Sequence, residues 1–392
     1  MTSKPAVLGN APQFQARIDM VKPLLPEFGQ LEGAIREILA TGMVTKGRFL
    51  REFETEVARH LGVKHAVGVS SCTTGLMLTY KALGLTGDVI VPSFTFMASV
   101  SSMVWANLRP VFVDVDGGTT NIDPAAIEGA ITPETSAIVG VHNFGVPADI
   151  ERLERIAKQR GLALVFDAAH GFGARYHGVP VGLQGDAQVF SLSPTKLLIS
   201  GEGGIVATNR DDVADKVRIG REYGNSGNYD SAFAGINARM PEASAIMGLR
   251  SLQQLERAAT RRNELAALYR ERLGKLPGLE LQTVPAGCRS SYKDFSITVD
   301  PEAFGVDRDQ LGKALAAENV DTRKYYEPPV HLHTAYRGYY DGKPLPNTMS
   351  LAKRSLSLPI WSAMDDQIAN GICDAVTRIH EHAAEVRKAT RS

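Results

Sequence analysis

Short apolar runs alternate with longer amphipathic segments through the middle of the chain, beginning near residue 64. The runs are HAVGVS, DVIVPS, RPVFVDV, SAIVGV, LALVFDA, AQVFSLS and GIVAT. They are rich in β-branched residues and almost continuously apolar, which is typical of strands that are covered on both faces. Their alternation with helix-length segments predicts an α/β domain with a doubly wound, mainly parallel sheet.

Helices are predicted on both sides of this alternating region. Over residues 29–61 apolar residues recur at helical spacing, and the stretch TGMVTKG, with Gly42 and Gly47, divides the segment into two helices. After the last strand, PEASAIMGLRSLQQLERAATRRNELAALYRERL contains no Gly or Pro beyond Gly248. This composition predicts one long helix.

The C-terminal part of the chain mixes predicted strands (LELQTV, KDFSITVD and SLSLPI) with predicted helices (DRDQLGKALAAE and DDQIANGICDAVTRIHEHAAEV). This mixture is typical of a small α+β domain. A chain of 392 residues also exceeds the length at which single hydrophobic cores usually split. We therefore predict two domains: residues 1–250 with the N-terminal helices and the large α/β domain, and residues 251–392 with the connecting helix and the small domain.

Charge and cysteine content exclude several classes of protein. The chain has 43 Lys+Arg and 43 Asp+Glu, so no global basic surface indicates binding to nucleic acid or to an anionic membrane. Its apolar runs are shorter than a membrane-spanning helix requires, and the start MTSKPAVLGNAPQF lacks the apolar core of a signal peptide. Three widely separated cysteines argue against a disulfide framework or a cysteine metal site. We expect a cytoplasmic protein without a metal.

Polar residues follow several predicted strands, at the sheet edge where ligands of such folds bind. The sequence SCTTG, residues 71–75, opens a helix after HAVGVS. Its hydroxyls and free N–H groups suit a phosphate, but they suit ordinary helix capping equally well. Phe96 follows DVIVPS, where its ring would stack on a flat ligand or pack in the core.

Asp167 ends the apolar run LALVF, and His170 follows three residues later. A carboxylate at the end of a buried strand needs a partner. Asp167 would cap a turn or pair with a cationic ring nitrogen, whereas the absence of a second nearby carboxylate or an HxxxH motif weakens the metal alternative. His170 would be structural or would reach the same pocket.

Lys196 lies in FSLSPTKLLISGEGGIV, a loop that suggests three kinds of chemistry. The S-x-x-K pair of penicillin-binding enzymes requires S-D-N and K-T-G motifs, and neither occurs in the chain. In a phosphate-binding loop the lysine follows the glycines, but here it precedes them. The remaining possibility is an imine with pyridoxal phosphate, for which the chain also offers a phosphate cup and an acid for the ring nitrogen.

Seven ordered motifs between about residues 20 and 380 resemble the DegT/DnrJ-type nucleotide-sugar aminotransferases. They are VSSCTTGLMLTYKALG, VIVPSFTF, VFDAAHGFGARYHG, SLSPTKLLISGEGGIVATN, RIGREYGNSGNY, GINARMPEASAIMGL and SLPIWSAM. The resemblance implies a fold-type I pyridoxal phosphate enzyme of the aspartate aminotransferase superfamily. It also implies a homodimer with shared active sites.

The same resemblance assigns roles to individual residues. Lys196 would carry the cofactor and move the proton, Asp167 would pair with the pyridine nitrogen, and His170 would contact the phenolic oxygen. Phe96 would lie against the ring face, although the family often has Trp or Tyr there. The residues expected to hold the phosphate are Thr73, Thr74 and Ser191, together with Asn237 of the partner subunit. Cys72 and Thr74 depart from the residues usual beside the phosphate-site threonine.

The implied reaction moves an amino group from L-glutamate to a keto-sugar. The spelling S-P-T-K followed by GEGG resembles enzymes that aminate C4, which favours a dTDP-linked 4-keto-6-deoxyhexose and a 4-amino-4,6-dideoxysugar product. In RKYYEPPVHLHTAYRGYY, Tyr326 and His331 are candidates for binding the sugar, although the segment also suits a solvated loop. The alternatives are a C3-keto-sugar or keto-cyclitol (scyllo-inosose) aminotransferase, or a non-catalytic regulatory member of the fold.

Overall fold

The computed structural model describes residues 4–391, so the outermost residues of both predicted domains lie outside the described part. Its strands are β1 His65–Val69, β2 Asp88–Pro92, β3 Arg109–Val113, β4 Thr135–Val141, β5 Ala163–Asp167, β6 Arg175–Tyr176, β7 Val179–Pro180, β8 Ala187–Ser191, β9 Gly204–Thr208, β10 Leu279–Leu281, β11 Phe295–Val299 and β12 Ser355–Leu358. Every apolar run that predicted a strand forms one.

A seven-stranded sheet has the order β1-β9-β8-β5-β4-β2-β3. Only β9 runs antiparallel to its neighbours in this sheet, and the other adjacent pairs are parallel. A second, antiparallel sheet has the order β10-β11-β12, and β6 and β7 form a hairpin. The large mainly parallel sheet and the small C-terminal sheet confirm the predicted fold class.

The α-helices lie between and after these strands. They are α1 Phe28–Thr41, α2 Arg48–Leu61, α3 Cys72–Leu83, α4 Met97–Trp105, α5 Pro124–Ile127, α6 Ile150–Arg160, α7 Asp211–Gly220, α8 Glu242–Leu273, α9 Pro301–Phe304, α10 Arg308–Ala317, α11 Pro346–Arg354, α12 Asp366–Glu381 and α13 Ala383–Ala389. Short 3-10 helices occur at Ala6–Leu8, Glu128–Ala130, Asn143–Gly145, Val330–Leu332 and Arg337–Tyr339. None of the helices within residues 4–391 combines the length and the apolar character needed to cross a membrane.

The break between α1 and α2 is fixed by a buried carboxylate. Glu242, only 1% exposed at the start of α8, accepts hydrogen bonds from the backbone N–H groups of Gly47 (2.8 Å), Phe49 (2.9 Å) and Leu50 (3.2 Å). These groups are donors that the first turn of a helix cannot satisfy itself. A Cβ at Gly47 would lie 2.5 Å from the carboxylate, which explains glycine at this position.

Apolar side chains pack on both faces of the large sheet and around the small sheet. We call the cluster around β10–β12, α10, α12 and the end of α8 the C-terminal core. The helix α8 joins the two regions, because Leu255 and Ala259 pack on the large sheet whereas Leu265 and Tyr269 belong to the C-terminal core. Ile18 also packs in the C-terminal core. The domain boundary at residues 250/251 stays a prediction.

One predicted helix is divided in two. The segment predicted to be helical from Asp365 onward forms α12 and α13, which are separated at His382 with φ −108° and ψ 21°. The backbone carbonyl of His382 accepts hydrogen bonds from the N–H groups of Glu385 and Val386, both at 3.0 Å, and so begins the first turn of α13. Its Nδ1 atom lies 3.2 Å from the Glu385 carboxylate.

Candidate active site

A cavity of about 400 Å³ opens at the carboxyl edge of the large sheet. Asp167 at the end of β5, Ser191 at the end of β8 and Lys196 in the following loop all line it. Parallel strands deliver their carboxyl ends to one edge, so residues far apart in sequence meet there. Further walls come from the start of α3, from the start of α4 and from residues 293–294 and 325–326.

The start of α3 is capped by its own side chains, and part of it also faces the cavity. Ser71 is the N-cap and accepts from Thr74 N–H at 3.1 Å, while Thr74 Oγ1 accepts from Ser71 N–H at 3.1 Å. This reciprocal pairing caps the helix and turns the Thr74 side chain away from the cavity. Thr73 and Ser71 line the cavity together with Ser191, so hydroxyls and the positive end of α3 meet at one place.

Asp167 is a buried acid without a cation within ion-pair distance in residues 4–391. Its carboxylate accepts hydrogen bonds from Ser99 Oγ at 2.6 Å and from Ala169 N–H at 3.1 Å. Burial raises the pKa of Asp167, and the two hydrogen bonds oppose that rise. An acid held in this way suits a protonated ring nitrogen, which would supply the missing positive charge.

Lys196 faces the same cavity, and among the described residues no acid forms an ion pair with it. Burial lowers the pKa of Lys196 from 10.5 to about 8, and the nearby ammonium of Lys293 adds to this effect. The loop that carries the lysine returns directly into β9. A Cβ at Gly204 would lie 2.6 Å from the backbone carbon of Ser71, so glycine lets this return pack against the cap of α3.

His170 presents an unsatisfied nitrogen at this site. Its Nδ1 atom is buried and has no hydrogen-bond partner within residues 4–391, and the residue lines the cavity. Burial holds the pKa of His170 well below its usual range, and Lys196 contributes in the same direction. A neutral imidazole with an unpartnered ring nitrogen is suited to hydrogen-bond a ligand group.

Phe96 is 50% exposed and lines the cavity. It immediately precedes α4, so its ring is not enclosed in the core. Of the two alternatives for this side chain, the structure therefore favours contact with a flat ligand over core packing. The lysine, the acid, the free imidazole nitrogen, the hydroxyl-lined helix end and this ring together fit pyridoxal phosphate.

The sequence model of the DegT/DnrJ/EryC1/StrS aminotransferase family matches residues 29–377 of the chain. The chain belongs to this family. The membership confirms the resemblance on which the residue roles were based, and it makes the protein an aminotransferase.

This DegT/DnrJ/EryC1/StrS aminotransferase is similar to several named proteins over most of its length. It is 35% identical to the spore coat polysaccharide biosynthesis protein SpsC of Bacillus subtilis (strain 168), covering 91% of this chain and 96% of SpsC. It is 33% identical to the dTDP-4-amino-4,6-dideoxy-D-glucose transaminase of Escherichia coli, covering 90% and 95%. The crystal structure of DesI in the presence of its TDP-sugar product superposes with a TM-score of 0.91 at 37% identity, covering 98% of each chain.

The two residues expected to bind the sugar, Tyr326 and His331, occupy different places. Tyr326 lines the cavity, and its hydroxyl donates to Asn143 Oδ1 at 3.2 Å. His331, five residues later, is only 1% exposed, and its Nδ1 atom lies 2.5 Å from Ser93 Oγ. The structure does not bring His331 to the cavity, because the short helix Val330–Leu332 packs it against the end of β2.

Asn237 is exposed and does not line the cavity of its own chain. The backbone of Asn237 forms an isolated antiparallel β-bridge with Glu222. Since its predicted role is in the site of a partner subunit, its position in one chain leaves that role a prediction.

Sequence reasoning missed a charged pair in the cavity wall, Lys293 and Asp294. It read KDFSITVD only as a strand of the small domain. A signal was present, because two adjacent charged residues directly precede the buried strand β11. Charges that enter a core require a partner or a function.

Proposed function

We propose that this protein transfers an amino group from L-glutamate to C4 of a dTDP-linked 4-keto-6-deoxyhexose, using pyridoxal 5′-phosphate. The product would be a 4-amino-4,6-dideoxysugar for antibiotic or surface-glycan biosynthesis. The observation that carries the proposal is the meeting of Lys196, Asp167 and the free His170 nitrogen beside the hydroxyl-lined end of α3.

Pyridoxal phosphate, when bound, supplies an aldehyde and an electron-accepting ring that stores the amino group between two half-reactions. Asp167 would pair with the ring nitrogen and keep it protonated, and His170 would hydrogen-bond the phenolic oxygen. Thr73, Ser71 and Ser191 would hold the phosphate. Thr74 would support it indirectly, since its hydroxyl fixes the cap of α3.

Lys196 is the residue that moves the proton. A lysine acts as a base only when its amine is neutral, and a pKa of about 8 leaves a useful neutral fraction near neutral pH. In the first half-reaction its Nζ atom would accept the proton from Cα of glutamate; the amino group is kept by the cofactor, water supplies the keto oxygen, and the carbon skeleton leaves as 2-oxoglutarate. In the second it delivers a proton to C4 of the sugar.

The names of two similar proteins support a nucleotide-sugar acceptor. The relative from Escherichia coli is named for a dTDP-linked 4-amino sugar, and DesI was crystallised with a TDP-sugar product. The SPTK and GEGG sequences of the lysine loop also support a sugar that is aminated at C4.

The proposal also includes a homodimer in which Asn237 reaches the phosphate site of the partner. The exposure of Asn237 in the single chain leaves it available for such a contact. Measuring the mass of the purified protein in solution tests this part. A monomer that is fully active would contradict it.

The cofactor is tested by absorbance. Protein loaded with pyridoxal phosphate should be yellow, its band should shift on addition of glutamate, and Lys196→Ala should abolish both. The matched control is Lys81→Ala, an exposed lysine at the end of α3, which should behave like the parent protein. A protein that takes up no pyridoxal phosphate would refute the cofactor assignment.

The acceptor is tested by single-turnover amination with the aminated form of the cofactor. The panel contains 4-keto and 3-keto nucleotide sugars and scyllo-inosose. The proposal predicts amination of a 4-keto nucleotide sugar, and amination of inosose alone would refute it. A cofactor-loaded protein that reacts with no amino donor would instead indicate a regulatory member of the family.

A further inference from the structure

A buried ion pair lines the same cavity as Lys196. Lys293 is 4% exposed and Asp294 is 1% exposed, and Lys293 Nζ lies 2.9 and 3.0 Å from the two carboxylate oxygens of Asp294. Both residues line the cavity. They directly precede β11, a strand of the C-terminal core, so they belong to the part of the cavity wall that this core supplies.

The backbone of this pair is held firmly. Arg262 of α8 donates from one guanidinium nitrogen to the carbonyl oxygens of Tyr292 (2.9 Å) and Lys293 (3.0 Å). Lys293 N–H in turn donates to the carbonyl of Phe144 at 3.1 Å. A fixed backbone holds both side chains at fixed positions in the cavity wall, which is a requirement for recognition.

The pair has unused hydrogen-bonding capacity. A carboxylate has about four lone-pair sites and an ammonium has three N–H donors. Among residues 4–391, no side chain or backbone group other than Lys293 hydrogen-bonds to Asp294, and Lys293 Nζ hydrogen-bonds to no group other than Asp294. Acceptor sites on the Asp294 carboxylate are therefore unfilled, and the Lys293 ammonium, which also lies 5.6 Å from the centre of the Tyr325 ring, has N–H donors beyond those that Asp294 accepts.

This combination of donor and acceptor distinguishes between the two substrates. A carboxylate of the amino donor would accept a hydrogen bond from Lys293 Nζ. The Asp294 carboxylate lies only about 3 Å from that nitrogen, however, and would repel the second negative charge. A hydroxyl both donates and accepts, so adjacent hydroxyls can satisfy both partners without a charge conflict. Tyr325 and Tyr326 line the same wall beside the pair.

We propose that the Lys293–Asp294 pair binds the C2 and C3 hydroxyls of the keto-sugar and thereby selects the acceptor. The inference rests on the proposed function, because it assigns part of the wall to the sugar in that reaction. Lys293 and Asp294 are recognition residues, and Lys196 remains the residue that moves the proton.

The decisive variant removes the pair without leaving a lone charge. Lys293→Met/Asp294→Leu replaces both side chains by apolar groups of similar length, an exchange that buried ion pairs often tolerate. The two half-reactions are then measured separately in single turnovers. We expect the apparent Kd for the keto-sugar to rise about 10- to 100-fold, because charge-assisted hydrogen bonds are lost. The rate constant of the glutamate half-reaction should stay within about threefold.

Sugar analogues provide a test that needs no variant. Acceptors that lack the C2 or the C3 hydroxyl should bind the parent protein about 10- to 100-fold more weakly than the complete sugar. The double variant should bind complete and deoxy sugars equally, because the substitutions in the protein and the missing hydroxyl of the sugar remove the same interaction. Thermal unfolding of the variant checks its fold, and if it fails to fold, the analogue series on the parent protein decides the question alone.

Two outcomes would overturn the inference. Deoxy analogues that bind the parent protein as tightly as the complete sugar would show that these hydroxyls are not read. A loss confined to the glutamate half-reaction, or equal in both half-reactions, would assign the pair to the donor or to the shared chemistry. Failure of the proposed function is distinguishable, since the parent protein would then aminate no nucleotide sugar.

Discussion

Replacing Lys293 by methionine should make Lys196 more basic. Burial is the larger cause of the lowered pKa of Lys196, and the positive charge of Lys293 is the next. Asp294 acts in the opposite direction and raises this pKa. Lys293→Met removes the lowering charge while the raising charge of Asp294 stays in place, so the pKa of Lys196 should rise.

The consequence can be expressed as a fraction of neutral amine. With a pKa of about 8, about 9% of Lys196 is neutral at pH 7. A free lysine with a pKa of 10.5 would be only about 0.03% neutral, roughly 300-fold less. Each unit by which Lys293→Met raises the pKa therefore lowers the reactive fraction near neutrality about tenfold.

Competitive acetylation of the apoprotein, followed by mass spectrometry, measures this pKa without the cofactor. The modification of Lys196 should have its midpoint near pH 8 in the parent protein and at higher pH in Lys293→Met. The control Lys293→Met/Asp294→Leu removes both charges and should return the midpoint towards the parent value. The reasoning is refuted if Lys196 of the parent protein titrates like a free lysine peptide, or if Lys293→Met shifts the midpoint downward.

The remaining predictions concern the acid, its support and the N-terminal helices. Asp167→Asn should lower turnover about 10- to 100-fold in steady-state assays, because an amide cannot pair as an anion with a ring nitrogen; unchanged turnover would contradict the role of Asp167. Ser99→Ala removes the 2.6 Å hydrogen bond to Asp167, which should raise the pKa of that acid and weaken cofactor binding about tenfold by fluorescence titration. Glu242→Ala should lower the free energy of unfolding of the apoprotein in urea by about 2–4 kcal/mol, because three buried N–H donors lose their acceptor. Glu271→Ala, an exposed change in the same helix, should cost less than about 0.5 kcal/mol, and equal losses in the two variants would refute the capping argument.

The large sheet and its edge could be predicted because their signals are local. Each strand is an apolar run, and the rule that parallel strands place their carboxyl ends together brings Asp167, Ser191 and Lys196 to one edge. The helix start at SCTTG was equally recognisable, but its two threonines were not distinguishable. Only the capping geometry shows that Thr74 turns to Ser71 while Thr73 lines the cavity.

The charged residues before β11 are visible in the sequence, but their place in the cavity wall could not be predicted because it depends on contacts between distant segments. Lys293 and Asp294 come to the cavity through the clamp from Arg262 and the backbone contact with Phe144, and neither contact leaves a periodic pattern. The same limit applies to Tyr326 and His331. They are close in sequence within one irregular segment, yet one faces the cavity and the other packs against Ser93.

The position of α8 affects which substitutions can alter the enzyme during evolution. At about 1.5 Å per residue its 32 residues form a rod of roughly 48 Å that is anchored in both hydrophobic cores. The groups suited to the cofactor lie at the carboxyl edge of the large sheet. Arg262, a residue of α8, instead holds the backbone of the Lys293–Asp294 wall. Under the proposed recognition role, substitutions that remove both charges at residues 293 and 294 would change the choice of acceptor, whereas Asp167 and Lys196 would keep their places at the edge of the large sheet.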